Sequence, residues 1–223
     1  PYYSPYTYID FYLSDSLSFN YLGFNLRKMP LADNNFRKAV AFCVDKDYIV
    51  DRLLNGCGSK GTVPIPPASA KYINKTAKPP EFDLQKASQI LDESGYVDIN
   101  GDGWRDLPNG SSIKLSILTL PRNYSDVDAY AGNMIFQNLK NVGLCAEWIQ
   151  VDEDNLRKKV FIDTDFDLYI HGWTVSPFPE EYLYEFFHSS EAAPAGYNAP
   201  GYSNPRVDKL LEQIMTEMDD EKR

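Results

Sequence analysis

Phe166-Asp-Leu-Tyr-Ile-His-Gly-Trp173, followed at once by Thr174-Val-Ser-Pro-Phe-Pro-Glu-Glu-Tyr182, is the stretch that decides the fold. Phe166, Leu168 and Ile170 alternate with Asp167, Tyr169 and His171, the two-residue period of a strand. A Gly-Trp turn and a Pro-rich loop end it, so an indole and several polar side chains collect at the strand's C-terminal end. In open α/β sheets ligands bind in the crevice just beyond those ends. The stretch therefore predicts a ligand-binding lobe.

Upstream, the pattern alternates between strand and helix. Ile113–Thr119 reads as a strand, Asp126–Lys140 as a helix with Val127, Ala131, Ile135 and Leu139 in line, Leu144–Val151 as a strand, and Asp152–Val160 as a short acid-led helix before the strand that starts at Phe166. This βαβαβ order implies neighbouring parallel strands joined by right-handed crossovers. Residues 1–28 are aromatic and strand-like, with Tyr21–Leu26 alternating. Asp33 can cap a helix carrying Phe36, Ala39, Val40 and Cys43 on one face, and Asp45 a second that turns Ile49, Val50, Leu53 and Leu54 inward and stops at Gly56. Residues 58–80 form a long Gly-, Pro- and Lys-rich segment, of the kind more often functional than idle. A helix from Asp83 to Gly95 and another opened by Asn204-Pro205 complete the chain, which reads as one α/β domain over residues 1–223.

Apolar residues make up 43% of the 223 and charged residues 24%, enough for a packed core. The 16 Tyr, 12 Phe and 3 Trp suit a protein that cradles a ligand. A net charge of −10 argues against nucleic acid as a partner, because neutralising phosphates takes clustered Lys and Arg. Cys43, Cys57 and Cys145 lack metal or redox spacing, and their odd number excludes a fully paired framework. Cys43 suits a buried helix face, and pairing of Cys43 with Cys57 is left open. No apolar run is long enough to span a membrane. The chain starts at Pro1 without Met and stops in a charged helical pattern, so it reads as an excised piece of a longer protein from which a signal segment is absent.

Asp98-Ile-Asn-Gly-Asp-Gly-Trp-Arg-Asp106 sets Asp98, Asn100 and Asp102 at the first, third and fifth positions of a calcium loop, with Asp106 further on. The twelfth position, where a calcium loop carries a bidentate Glu, is Asn109, and a strand follows where a helix should. Asx and Gly residues also make tight turns without metal, and the turn is the better reading, with no cofactor. Glu180-Glu181 and Asp163, Asp165 and Asp167 supply paired carboxylates, but a hydrolase needs two of them a few ångströms apart across a cleft. Neither His171 nor His188 has a nucleophile or metal-spaced partner, so no enzyme is predicted. Pro177 and Pro179 stiffen the loop after Trp173, Phe178 and Tyr182 add aromatic surface, and Tyr197-Asn-Ala-Pro-Gly-Tyr202 adds a second aromatic, amide-bearing loop.

Several segments, in this order and spacing, carry a resemblance: Tyr21-Leu-Gly-Phe-Asn-Leu26, Phe36-Arg-Lys-Ala-Val-Ala-Phe42, Lys46-Asp-Tyr-Ile-Val50, Gly61-Thr-Val-Pro-Ile-Pro-Pro67, Ala87–Gly103, Phe166–Trp173 and Gly201-Tyr-Ser-Asn-Pro-Arg-Val-Asp208. Together they resemble the extracytoplasmic solute-binding proteins of peptide-type (dipeptide and oligopeptide) ABC transporters, family 5. The resemblance implies a periplasmic-binding-protein-like (type II) lobe, with a mixed sheet, a βαβαβ core and flanking helices. It makes the chain the C-terminal lobe of a two-lobed protein, its first lobe and C-terminal tail absent. The whole protein would close on an oligopeptide by a hinge and deliver it to ABC permease subunits in the membrane, working in the periplasm or as a cell-surface lipoprotein. Ligand-binding roles are expected for Trp173, packed on the ligand, and for His171, Thr174, Ser176, Phe178, Glu180, Tyr197 and Asn198. One position departs from the family pattern. Where many members carry an Asp that pairs with the peptide's α-ammonium, this chain has Ser176, so either Glu180 substitutes or the ligand is of another class, an oligosaccharide or metal chelate. Outside the family, a carbohydrate hydrolase and a calcium-stabilised structural domain are the alternatives. Dimerisation of the isolated lobe through the surface its other half would cover is left open.

Overall fold

The computed structural model describes residues 14–74, 76–219 and 221–222. The aromatic segment 1–13 lies outside them. Strand β1 (Ser18–Phe24) is followed by α1 (Asn34–Phe42) and α2 (Lys46–Tyr48), which runs on as a wider π turn over Ile49–Leu53. A 3₁₀ turn at Pro67–Tyr72 interrupts the long Pro-rich segment, and α3 (Leu84–Glu93) follows. Then come β2 (Leu115–Thr119), α4 (Asp126–Asn141), β3 (Ala146–Gln150), α5 (Glu153–Arg157) with a π turn to Ile162, β4 (Leu168–Thr174), α6 (Pro179–Phe187) and α7 (Pro205–Thr216).

The helices start where short acceptor side chains can satisfy their first free N–H groups. Asp33 accepts from Asn35 N at 2.8 Å, Asp45 from Tyr48 N at 2.8 Å, Asp83 from Lys86 N at 2.9 Å and Asn204 from Arg206 N at 3.0 Å. Phe36, Ala39, Val40 and Cys43 then fall on one face of α1 and are fully buried. Ile49, Val50, Leu53 and Leu54 are only half-buried, because a π turn spreads the inward stripe.

The four strands form one mixed sheet in the order β1-β4-β2-β3, with β1 antiparallel to β4 and β2 parallel to both its neighbours. This corrects the simple picture of successive parallel neighbours. After β3 the chain passes back across β2 and inserts β4 on its far side. The reason is visible in burial: β2 is covered almost throughout, whereas β3 is half-exposed at the edge. The period of the opening stretch also resolves differently from its polar-versus-apolar reading. Leu168 and Ile170 enter an aliphatic cluster with Leu115, Ile117, α1, α3 and α4. Tyr169 enters a second cluster on the opposite face, with Leu118, Leu156, Phe161 and Phe166. Both faces of the strand are therefore covered. Gly23, opposite Tyr169 in the β1–β4 register, makes this packing feasible, since a Cβ there would lie 2.2 Å from the Tyr169 ring.

All three cysteines are free thiols, so Cys43 and Cys57 are not paired. Burial pushes the Cys43 thiol up to about 12, which keeps it an inert packing group.

Candidate functional site

The return of the chain past β2 creates a topological switch point: β3 lies on one side of β2 and β4 on the other. At such a reversal the loops leaving the carboxyl ends of the strands diverge and leave a crevice. Beyond β4 that crevice is edged by the 174–178 loop, α6 and the 189–201 segment.

Trp173 is the centre of the aromatic packing there. Its ring lies 5.0 Å from His171, 5.4 Å from Phe186, 5.6 Å from Tyr197 and 5.9 Å from Phe161, mostly edge to face, the arrangement the ring quadrupoles favour. Its Nε1 donates to Tyr21 Oη at 3.1 Å, and that hydroxyl meets Tyr169 Oη at 2.9 Å. Burial raises both phenols above their ordinary pKa, so the ladder is neutral. His171 is 8% exposed. Burial pulls its pKa down, opposed by the charges of Asp128 and Glu153.

The other expected residues divide into two groups. Phe178 (53% exposed) and Tyr197 (41% exposed) present open aromatic surface. Thr174 is exposed and its hydroxyl meets Ser18 Oγ at 2.7 Å, while Ser176 Oγ accepts from Phe178 N at 3.2 Å and shapes the loop. Glu180 lies in the first turn of α6, and its charge, after burial, helps push the Tyr182 phenol up to about 12. Asn198, in contrast, is 1% exposed and is used inside its own loop: Nδ2 donates to His188 O and Tyr202 O, and Oδ1 accepts from Tyr202 N. It fastens the loop that carries Tyr197. Arg27 ties the same loop to the end of β1 by donating to Ala199 O at 2.7 Å and Ala192 O at 2.6 Å.

Four contributors were not identified from sequence. Ser69, in the 3₁₀ turn of the Pro-rich segment, donates to Pro177 O at 3.1 Å, so that segment docks on the site loop. Phe161 and Phe186 complete the packing around Trp173. Asp128, in the first turn of α4, is 5% exposed where the helical pattern turned Val127 inward. Its Oδ1 accepts from Asn20 Nδ2 at 3.0 Å. Burial raises its pKa, against the opposing effects of Ser125, His171 and Asn20.

In the 98–106 loop the acidic oxygens face the loop's own backbone. Asp98 accepts from Gly101 N and Gly103 N, Asn100 from Asp102 N, Asp102 from Trp104 N, and Asp106 from Ile99 N and Asn100 N. This is a set of Asx turns. Among the described residues no group of three or more His, Cys, Asp and Glu is arranged to hold a metal ion. The acid pair of a hydrolase is not assembled either. Asp167 precedes β4 and Glu180 follows it, so the strand separates them by about 20 Å, at about 3.3 Å per residue, against the 5–10 Å such chemistry uses. A shallow depression of about 700 Å³ between α1 and α3, beside Arg37, Phe42, Phe82 and Lys86, lies away from the strand ends.

Known proteins share this fold. The oligopeptide-binding protein AppA of Bacillus subtilis (strain 168) is 31% identical over 199 residues, 88% of this chain and 36% of that protein. The dipeptide-binding protein of Escherichia coli (strain K12) is 25% identical over 207 residues, 93% of this chain and 36% of that protein. The chain thus spans a little over a third of the length of these relatives. Among solved structures, AppA from Bacillus subtilis in complex with a nonapeptide superposes with a TM-score of 0.84 at 29% identity, covering 94% of this chain and 41% of that one. A mannohexaose-bound periplasmic oligopeptide-binding protein from Thermotoga maritima gives a TM-score of 0.78 at 28% identity, covering 94% of this chain and 40% of that one. The mixed sheet with flanking helices is the type II periplasmic-binding-protein fold expected from the sequence. With a family model, described as family 5 Middle, matching residues 3–194, the chain belongs to the bacterial extracellular solute-binding proteins, family 5.

Proposed function

We propose that the chain is one lobe of the substrate-binding component of an ABC importer, which captures oligopeptides in an extracytoplasmic compartment and hands them to a membrane permease without chemistry of its own. The observation that carries this reading is the aromatic and hydroxyl-bearing surface of residues 171–178 and 197 at the carboxyl ends of β2 and β4, in a chain so like a nonapeptide-bound relative. Trp173, Phe178 and Tyr197 offer faces for side chains, and the 174–178 loop offers backbone and hydroxyl groups for an extended backbone. Among the described residues no helix is long and apolar enough to cross a membrane.

A single lobe presents one wall of a cleft that closure would bury from both sides. The isolated chain should therefore bind peptides at least a hundredfold more weakly than the full-length protein, whose closed form wraps the ligand. Oligosaccharides are the second reading, favoured by the mannohexaose-bound relative and by Ser176, which offers a hydrogen bond and no charge. The test is a thermal-shift screen of the full-length protein against di- to hexapeptides, oligosaccharides and nickel chelates. Stabilisation by peptides supports the main reading. Stabilisation by sugars or chelates alone replaces the ligand class, and no stabilisation by any solute overturns the uptake function.

A further inference from the structure

We infer that Ser69 is a positioning residue for the ligand loop: its hydroxyl, carried on the Pro-rich segment, holds residues 176–178 in the shape that meets a bound peptide. The inference rests on the uptake reading above and adds to it a residue that touches no ligand itself.

The 174–178 loop is fastened unevenly. Its first half is continuous with the sheet: Val175 N donates to Leu17 O at 3.0 Å, and the Thr174 hydroxyl meets Ser18 Oγ at 2.7 Å. Beyond Val175 that support ends. Phe178 N donates to Ser176 Oγ at 3.2 Å and Glu181 N to Phe178 O at 3.3 Å, both local to the loop and the start of α6. Among the described residues, one hydrogen bond ties residues 176–178 to a distant part of the chain, from Ser69 Oγ to Pro177 O at 3.1 Å. Pro177 has no N–H of its own to fix it, and its carbonyl stands between Ser176 and Phe178, two of the expected ligand contacts.

The Pro-rich segment is built to deliver that hydroxyl. Ser69 is 3% exposed, although Ala68 and Ala70 on either side are exposed. The 3₁₀ turn Pro67–Tyr72 is kinked at Ser69 (φ −110°, ψ 25°), and Ser69 N is already satisfied by Pro66 O at 2.9 Å, so the hydroxyl is left to reach outward. Pro64, Pro66 and Pro67 fix φ along the approach. The start of the segment is anchored to α2: Lys46 Nζ donates to Gly61 O at 3.0 Å, and Lys60 pairs with Asp47 at 2.8 Å. The segment is thus a strap, pinned at one end to α2 and in the middle to the ligand loop.

Pro177 and Phe178 are exposed, so immobilising them brings little burial to the fold and costs it backbone freedom. That cost is recovered when a ligand binds, because a loop already held has less freedom left to lose. The Ser69 bond therefore acts mainly on affinity.

The test is calorimetry on the full-length protein with penta-alanine. Ser69→Ala should bind about fivefold more weakly than wild type, the factor that one hydrogen bond of ordinary strength gives. Ser69→Cys, of similar size but a weak donor, should lose affinity in the same direction. Asp33→Ala strips the cap from α1 and the acceptor from Tyr96 Oη, far from the loop. It should lower the melting temperature at least as much as Ser69→Ala and keep affinity within twofold. In the ligand-free protein, hydrogen exchange at the Phe178 amide should speed up in Ser69→Ala and stay at the wild-type rate in Asp33→Ala. Affinity of Ser69→Ala within twofold of wild type, an equal loss in Asp33→Ala, or an unmoved Phe178 rate overturns this inference and leaves peptide uptake standing. Binding of penta-alanine by neither wild type nor any variant removes the uptake reading and this inference together.

Discussion

Two carboxylates stand at opposite ends of the same sheet, and the protein treats them differently. Asp167, at the amino end of β4, accepts from Ser116 N at 2.9 Å and Ser116 Oγ at 2.8 Å and pairs with Lys28 at 3.4 Å. Asp128, at the carboxyl end, is more deeply buried; it accepts from Asn20, interacts with Ser125 and lies near His171, and among the described residues it forms no ion pair with a Lys or Arg. The first closes a structural junction between strands. The second sits beside His171 and the aromatic cluster around Trp173. On the proposed reading, one end of the sheet serves stability and the other ligand binding, the division expected at a switch point.

Five substitutions and a titration probe that division. Trp173→Ala should have the largest effect, removing the ring shared by four aromatic neighbours. A loss of about 3 kcal/mol in denaturant unfolding is expected, with loss of measurable peptide binding. Asp167→Ala should cost about 2 kcal/mol, because two Ser116 donors lose their acceptor, while peptide affinity in the full-length protein stays within twofold. If affinity falls with stability, the two ends are not separable. Tyr21→Phe deletes the acceptor for the indole N–H and the partner of Tyr169, and should cost about 1 kcal/mol and shift tryptophan fluorescence.

Asp128→Asn should be the mildest. A raised acid pKa means that the group's stabilising contribution is complete below its ordinary value of 3.8 and is lost as pH rises through the folded value. At pH 7 the charge is a burden, so the variant should melt at the same temperature as wild type or higher. His171 works in the opposite direction. Its lowered pKa gives stability that is present above 6.5 and is lost as pH falls through the folded value. Melting temperature should therefore decline on acidification from neutral pH, and His171→Gln should reduce that slope.

Much of this architecture was legible in the sequence, and the parts that were not share a cause. Asp33 before the inward row Phe36, Ala39, Val40 and Cys43, and Asn204-Pro205 before α7, are local signals, and the helices start there. The position of β4 was not legible, since its pairing joins Phe24 to Leu168 and Ser18 to Thr174 across most of the chain. Nothing local to either strand records that. Asp128 was hidden by its neighbours, because acids in a first helical turn ordinarily satisfy the dipole from the surface. Asn198 looked like a ligand donor because a loop's need to bind its own carbonyls leaves no mark in a linear pattern. The aromatic surface around Trp173 could be located, but its ladder through Tyr21 to Tyr169 depends on the β1–β4 register.

The most direct test of the division between the two ends is hydrogen exchange of the full-length protein with and without a saturating pentapeptide. Protection should appear in residues 171–178 and 195–199, with exchange at Ser116 and Asp167 unchanged. Protection centred on Ser116 and Asp167, or on the depression beside Arg37 and Lys86, with 171–178 unaffected, would contradict it.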